Sequence, residues 1–193
     1  MRGNHKQLLI HYEKNNFISY VSDFLLFNSP ASANKIIVLC IGTDRSTGDA
    51  LGPFIGSYVT ENYRLQNIHV YGTLNNPVHA KNLSDTIAHI YETYKKCFII
   101  AIDASLGKFT SIGKVLCGQG SIKPGAAVHK KLPSVGHIYI TGVVNTSGFM
   151  EFSVLQSTRL FLVTSMAKQI AKALYIYDCK ISSKRTTQIK PNS

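Results

Sequence analysis

Two stretches of the chain are apolar at every position rather than at every second or third one. Residues 36–41, IIVLCI, and residues 97–102, CFIIAI, hold no charged or amide side chain, which predicts strands covered on both faces, as in a parallel sheet. Shorter β-rich runs predict further strands over 68–73, 113–117 and 137–144. Between them apolar residues recur at helical spacing. Phe17, Val21, Phe24, Leu25 and Leu26 predict a helix within 8–27; Leu83, Ile87, Ile90 and Tyr91 predict one beginning at Pro77 and ending near 94; Leu155, Leu162, Met166, Ile170 and Leu174 predict a long one over 150–175. Another helix, over 50–63, follows the first apolar run, with Pro53 tolerated in its first turn. Strands separated by helices of these lengths predict an α/β fold, a three-layer α/β/α arrangement with a mainly parallel sheet. Right-handed crossovers then bring the strand ends after Ile41, Thr73, Ile102 and Val144 to one rim, where open sheets bind their ligands.

Composition narrows this picture. At 193 residues and 45% apolar content, the expectation is one domain over 1–178. Residues 179–193 hold Lys180, Lys184, Arg185 and Lys190 and no acid; they are expected to be a disordered basic tail, and removal of 182–193 to leave melting unchanged. The first residues, MRGNHKQ, are basic but precede no long apolar core, so neither a secretory signal nor a membrane span is expected. Cys40, Cys97, Cys117 and Cys179 show no CxxC or metal spacing and are taken as reduced thiols of a cytoplasmic protein. The net charge of +11 would attract nucleic acid, acidic protein or anionic membrane alike. No groove-reading motif or aromatic-basic platform accompanies it, so nucleic acid is disfavoured. Homo-oligomerisation is left open.

The candidate chemistry lies just past the two most apolar runs. The first leads into a loop bounded by Gly42 and Gly48, with Asp49 at the start of the next helix; the second ends in Asp103. Two carboxylates partly shielded from water cannot both ionise freely, so one can hold a proton while the other takes one from water, the minimal apparatus for peptide-bond hydrolysis. Asp44 is a third candidate acid, and Arg45 could orient an anion. Structural alternatives stand beside these: an Asp before a helix is commonly an N-cap, and one after a strand a turn residue. Nucleotide binding fits poorly, because neither a Walker ending nor GxGxxG is present and Asp49 would repel phosphate. His79 falls on the inferred rim and His137 at the opposite end. Cys40 and Cys97, within strands, read as core residues.

The segments IGTDRSTGDALGP, AIDASLG, GTLNNPVHAKNL and GFMEFSVLQSTRL together closely resemble the YyaC family of sporulation proteins, over about residues 8–178. That family is similar to the germination protease that degrades small acid-soluble spore proteins, and more distantly to hydrogenase maturation proteases. The resemblance implies a phosphorylase/hydrolase-like α/β/α fold and a sporulation-associated peptidase in the cytoplasm of the sporulating cell or forespore, acting on a protein or peptide substrate such as small acid-soluble spore proteins. It matches the two essential acids of the germination protease to Asp49 and Asp103. In the maturation enzymes the corresponding acids, with a histidine, help bind nickel of the substrate. Within SIKPGAAVHKK, however, Lys123 stands where the germination-protease pattern has histidine, and an ammonium is a poor ligand for a divalent metal. Lys123 could instead favour ionised carboxylates. No cofactor and no bound metal are expected. The alternative function is a non-catalytic binding protein that retains the pocket.

Overall fold

The computed structural model describes residues 6–30, 33, 35–124 and 132–189, with only the backbone of 186–189. In chain order its elements are β1 (Gln7–His11), α1 (Phe17–Asn28), β2 (Lys35–Cys40), α2 (Leu51–Asn62), β3 (Ile68–Tyr71), α3 (Leu83–Thr93), β4 (Cys97–Gly107), a 3-10 turn at Phe109–Ser111, β5 (Lys114–Gln119), β6 (Ile138–Thr146), α4 (Glu151–Gln156) and α5 (Leu160–Ile189). The strands form one six-stranded sheet in the order β1-β5-β6-β4-β2-β3. The β3, β2, β4 and β6 strands pair in parallel, and β5 pairs antiparallel with both β6 and β1. The sheet is therefore mainly parallel, with β5 alone reversed.

The two apolar runs sit side by side at its centre, Ile36 facing Phe98 and Cys40 facing Ile102. Because side chains alternate across a strand, each run feeds two cores. Ile36, Val38, Cys40, Ile100 and Ile102 pack with α1, α2 and α5 on one face, while Ile37, Leu39, Ile41, Ile99 and Ala101 pack with Leu83 and Ile90 of α3 on the other. That is the three-layer arrangement expected. Among the described residues no helix is long and apolar enough to cross a membrane.

Three elements differ from the expectations. The helix placed over 8–27 is preceded by a strand, because Gln7–His11 finds backbone partners on β5, Gln7 facing Gly118 and His11 facing Lys114; Ile10 is buried there and Leu9 exposed. The helix placed over 150–175 is two helices. They break where buried Thr158 donates its hydroxyl to the Val154 carbonyl (2.9 Å) and accepts from Asn145 Nδ2 (3.2 Å), a side chain of β6. The tail beyond Asp178 is not a disordered appendage as far as it is described: α5 continues to Ile189. Ile181 is buried in the α1–α2–α5 core, and Arg185 donates to Asn67 Oδ1 (2.8 Å) and to the Ala33 carbonyl (3.1 Å). The basic composition concealed one well-placed isoleucine and an arginine with two acceptors in reach. Residues 190–193 lie outside the described residues.

Candidate active site

The carboxyl ends of β2 and β4 form the floor of a cavity of about 240 Å³ lined by residues from five segments. A single water's share of liquid volume is about 30 Å³, so there is room for a substrate group. Its first wall is the loop after β2. Gly42 turns the chain with φ +142° and donates its N–H to the Val78 carbonyl (2.8 Å), and the Thr43 N–H reaches the Asp49 carbonyl (3.2 Å). The loop thus folds back on itself so tightly that a Cβ at Gly42 would stand 1.9 Å from the Asp49 carbonyl oxygen. Gly52 lets α2 approach equally closely, since a Cβ there would meet the Ile41 carbonyl oxygen at 2.2 Å. Only glycine meets either demand.

This packing decides what Asp49 is. Helix α2 begins at Leu51 after Ala50, with no side-chain cap, so Asp49 does not serve as the helix cap. It is half-buried against the cavity. Burial raises its pKa; the Thr43 N–H and the nearby His79 pull the other way but do not cancel the effect. Asp103 is likewise no turn residue. It lies within β4, opposite Thr141 of β6, and is 6% exposed. By strand alternation it continues the row of Ile99 and Ala101, which faces α3. Its Oδ1 accepts the Ala104 N–H at 2.9 Å, and a register shift between Ser105 and Leu106 follows.

Of the residues singled out from the sequence, Asp49, Asp103, Arg45 and His79 line this one cavity, and Asp44 and Lys123 do not; both are exposed. His79 Nδ1 accepts the Lys81 N–H (3.3 Å) and its backbone N–H donates to Asn82 Oδ1 (2.8 Å). In the neutral imidazole the proton is then on Nε2. His137 is held at the other end of β4, accepting the Ile99 N–H at 3.0 Å and stacking on Phe98. Cys40 and Cys117 are buried thiols whose pKa values burial raises, that of Cys117 to about 12, which makes them inert as nucleophiles.

The cavity also uses residues that sequence reasoning passed over: Ser46, Lys81, Phe152 and Leu155. Ser46 is buried, and among the described residues its Oγ is the buried side-chain oxygen with no hydrogen-bond partner. Such a group calls for a partner, which a water or a ligand in the cavity would supply. Its signal was its place between Gly42 and Gly48. Phe152 and Leu155 come from α4, which is bound to the acid loop by the Gly48 N–H donating to the Leu155 carbonyl (2.8 Å). Asp49, His79 and Asp103 share the cavity, yet no group of three His, Cys, Asp or Glu side chains among the described residues is placed to hold a metal ion.

A family model described as "Protein of unknown function (DUF1256)" matches residues 9–173. The uncharacterized protein YyaC of Bacillus subtilis (strain 168) is 51% identical over 148 residues, which cover 77% of this chain and 72% of that protein. Among solved structures, that of a NiFe-hydrogenase maturation protease, HycI from Thermococcus kodakarensis KOD1, is similar with a TM-score of 0.52 at 15% identity, covering 83% of this chain and 99% of the other. At that identity the likeness is one of fold.

Proposed function

Since the chain belongs to the DUF1256 family, together with YyaC, and has the fold of a maturation protease, we propose that it is a peptidase in which Asp49 and Asp103 activate water. The observation that carries this reading is that two acids from separate segments, Asp49 in the turn before α2 without capping it and Asp103 within β4, wall one cavity at the carboxyl rim of the sheet. In the reaction one carboxylate accepts a proton from water as the oxygen bonds to the scissile carbonyl carbon. The other, protonated, donates to the carbonyl oxygen; the C–N bond then breaks and the amine leaves with a proton. Asp49, with its raised pKa, suits the protonated role. Arg45 and Lys81 offer positive charge to acidic groups of a polypeptide, and the Ser46 hydroxyl offers a hydrogen bond. The substrate class, small acid-soluble spore proteins or other proteins of a sporulating cell, and a cytoplasmic setting rest on the motif resemblance.

The test is cleavage of small acid-soluble spore proteins and of a proteome-derived peptide library. Asp49→Asn and Asp103→Asn should each lower the rate by about 10²–10⁴ or more with folding intact, and the double variant should be little worse than either, because members of one catalytic unit are not additive. Cleavage that persists in either variant removes the pair. A wild type that cuts nothing, with a protein partner lost on either change, would replace hydrolysis by binding.

A further inference from the structure

The cavity does not end at its rim. Its α4 wall runs onto an apolar surface: Phe149 is 93% exposed, Phe161 70%, Met150 65%, Leu160 56% and Phe152 55%. Half of the large apolar side chains that stand exposed among the described residues therefore fall between 149 and 161. Scattered exposed apolar residues are ordinary, but a concentration of this kind marks a contact surface. Its geometry is also held deliberately. Met150 has a left-handed backbone, φ +59°, rare for a residue other than glycine, asparagine or aspartate. Asn145 Nδ2 fastens the far end of α4 through the Val154 carbonyl and Thr158 Oγ1, both at 3.2 Å.

Resting on the peptidase reading, we infer that this α4 surface is the specificity-determining wall of the site, seating a large apolar side chain of the polypeptide substrate next to the scissile bond. Continuity points to that occupant. Phe152 belongs at once to the exposed surface and to the cavity that holds Asp49 and Asp103, so a chain whose carbonyl reaches the acids past Phe152 lays a neighbouring residue across α4. A six-residue helix spans roughly 9 Å, the length of about three residues of extended chain. Through the Gly48–Leu155 backbone bond, seating a side chain on α4 would also steady the loop that carries Asp49.

An array of immobilised random dodecapeptides is the probe, bound by the full-length Asp49→Asn protein so that selection is read without cutting. Bound peptides should be enriched in Phe, Leu, Ile and Met. Adding Phe149→Ser and Phe152→Ser should reduce that enrichment about ten-fold or more, the scale of an apolar pocket contact. Both side chains are more than half exposed, and unchanged thermal melting would show that the fold is kept. Absence of apolar preference, or a preference that survives both changes, overturns the inference. So does light scattering that finds a dimer which the two changes split, for then a second copy is the occupant. Parallel cleavage by the otherwise wild-type chain separates the two readings: apolar selection without cleavage leaves the surface standing and removes hydrolysis, whereas cleavage without apolar selection does the reverse.

Discussion

Burial raises the pKa of Asp49 above its ordinary 3.8, so as pH rises the unfolded chain releases this proton before the folded chain does. Between the two pKa values the folded state binds more protons, and stability falls with rising pH; above the folded pKa the whole penalty is in force. Asp49→Asn removes the penalty. We expect this variant to melt above wild type at pH 7, with the difference fading as pH falls below the unfolded value, in calorimetric scans across that range. Melting below wild type at pH 7 would mean that the attraction of His79 outweighs burial. A higher melting temperature for Asp49→Asn would show a cavity-lining acid kept at the expense of stability, the usual trade with function. The same balance explains what could be seen in the sequence. Asp103 was visible because it ends an apolar run and Asp49 because it closes the glycine-bounded loop that follows the other; Ser46 was not singled out, since its place in that loop does not tell that its hydroxyl will be buried without a partner. Lys123 is exposed and does not line the cavity, which its place in the motif could not show.

Helices and strands were legible wherever their partners are generic. The apolar runs of β2 and β4 are satisfied by any two-sided burial, and the periodic stripe of α3 by any sheet face. What could not be read was pairing at a distance: β1 is a strand only because β5 offers it a ladder, and QLLIH has no alternation strong enough to announce this alone. The break between α4 and α5 contains neither Gly nor Pro; it depends on Asn145, a β6 side chain. The last turns of α5 were misread for a related reason, and they carry the prediction at this scale. Ile181 is buried, Ser182 accepts from Asn67 Nδ2 at 2.7 Å, and the Asp178 carboxylate accepts the Gln66 and Asn67 N–H groups at 2.9 and 2.8 Å. Ile181→Ala should therefore cost about 2 kcal/mol in denaturant unfolding. Truncation after Cys179 should lower the melting temperature clearly, with cleavage activity per folded molecule retained, because these contacts lie outside the cavity wall.

Over the whole molecule the net charge of +11 bears on long-range attraction and by itself names no site. The topology says more, since it sets an order in time. Residues 35–107 contain β2, α2, β3, α3 and β4, neighbours in the sheet and in the chain, whereas β1 must wait for β5, with Gln7 opposite Gly118. Contacts close in sequence form first because they lose the least loop entropy. In refolding followed by pulsed hydrogen exchange, the amides of Ile37 and Ile99 should gain protection before that of Ile10; the opposite order would place the nucleus at the β1 edge. Emergence from the ribosome imposes the same sequence. At roughly 5–20 residues per second, Leu155 follows Asp103 by roughly 3–10 s, so a nascent chain carries both acids before the wall that will select their substrate exists. Without α4 the Gly48 N–H also lacks its acceptor, and the loop holding Asp49 is left unfastened. On the proposed peptidase reading the growing chain, the nearest polypeptide of all, is thereby spared until α4 has been made.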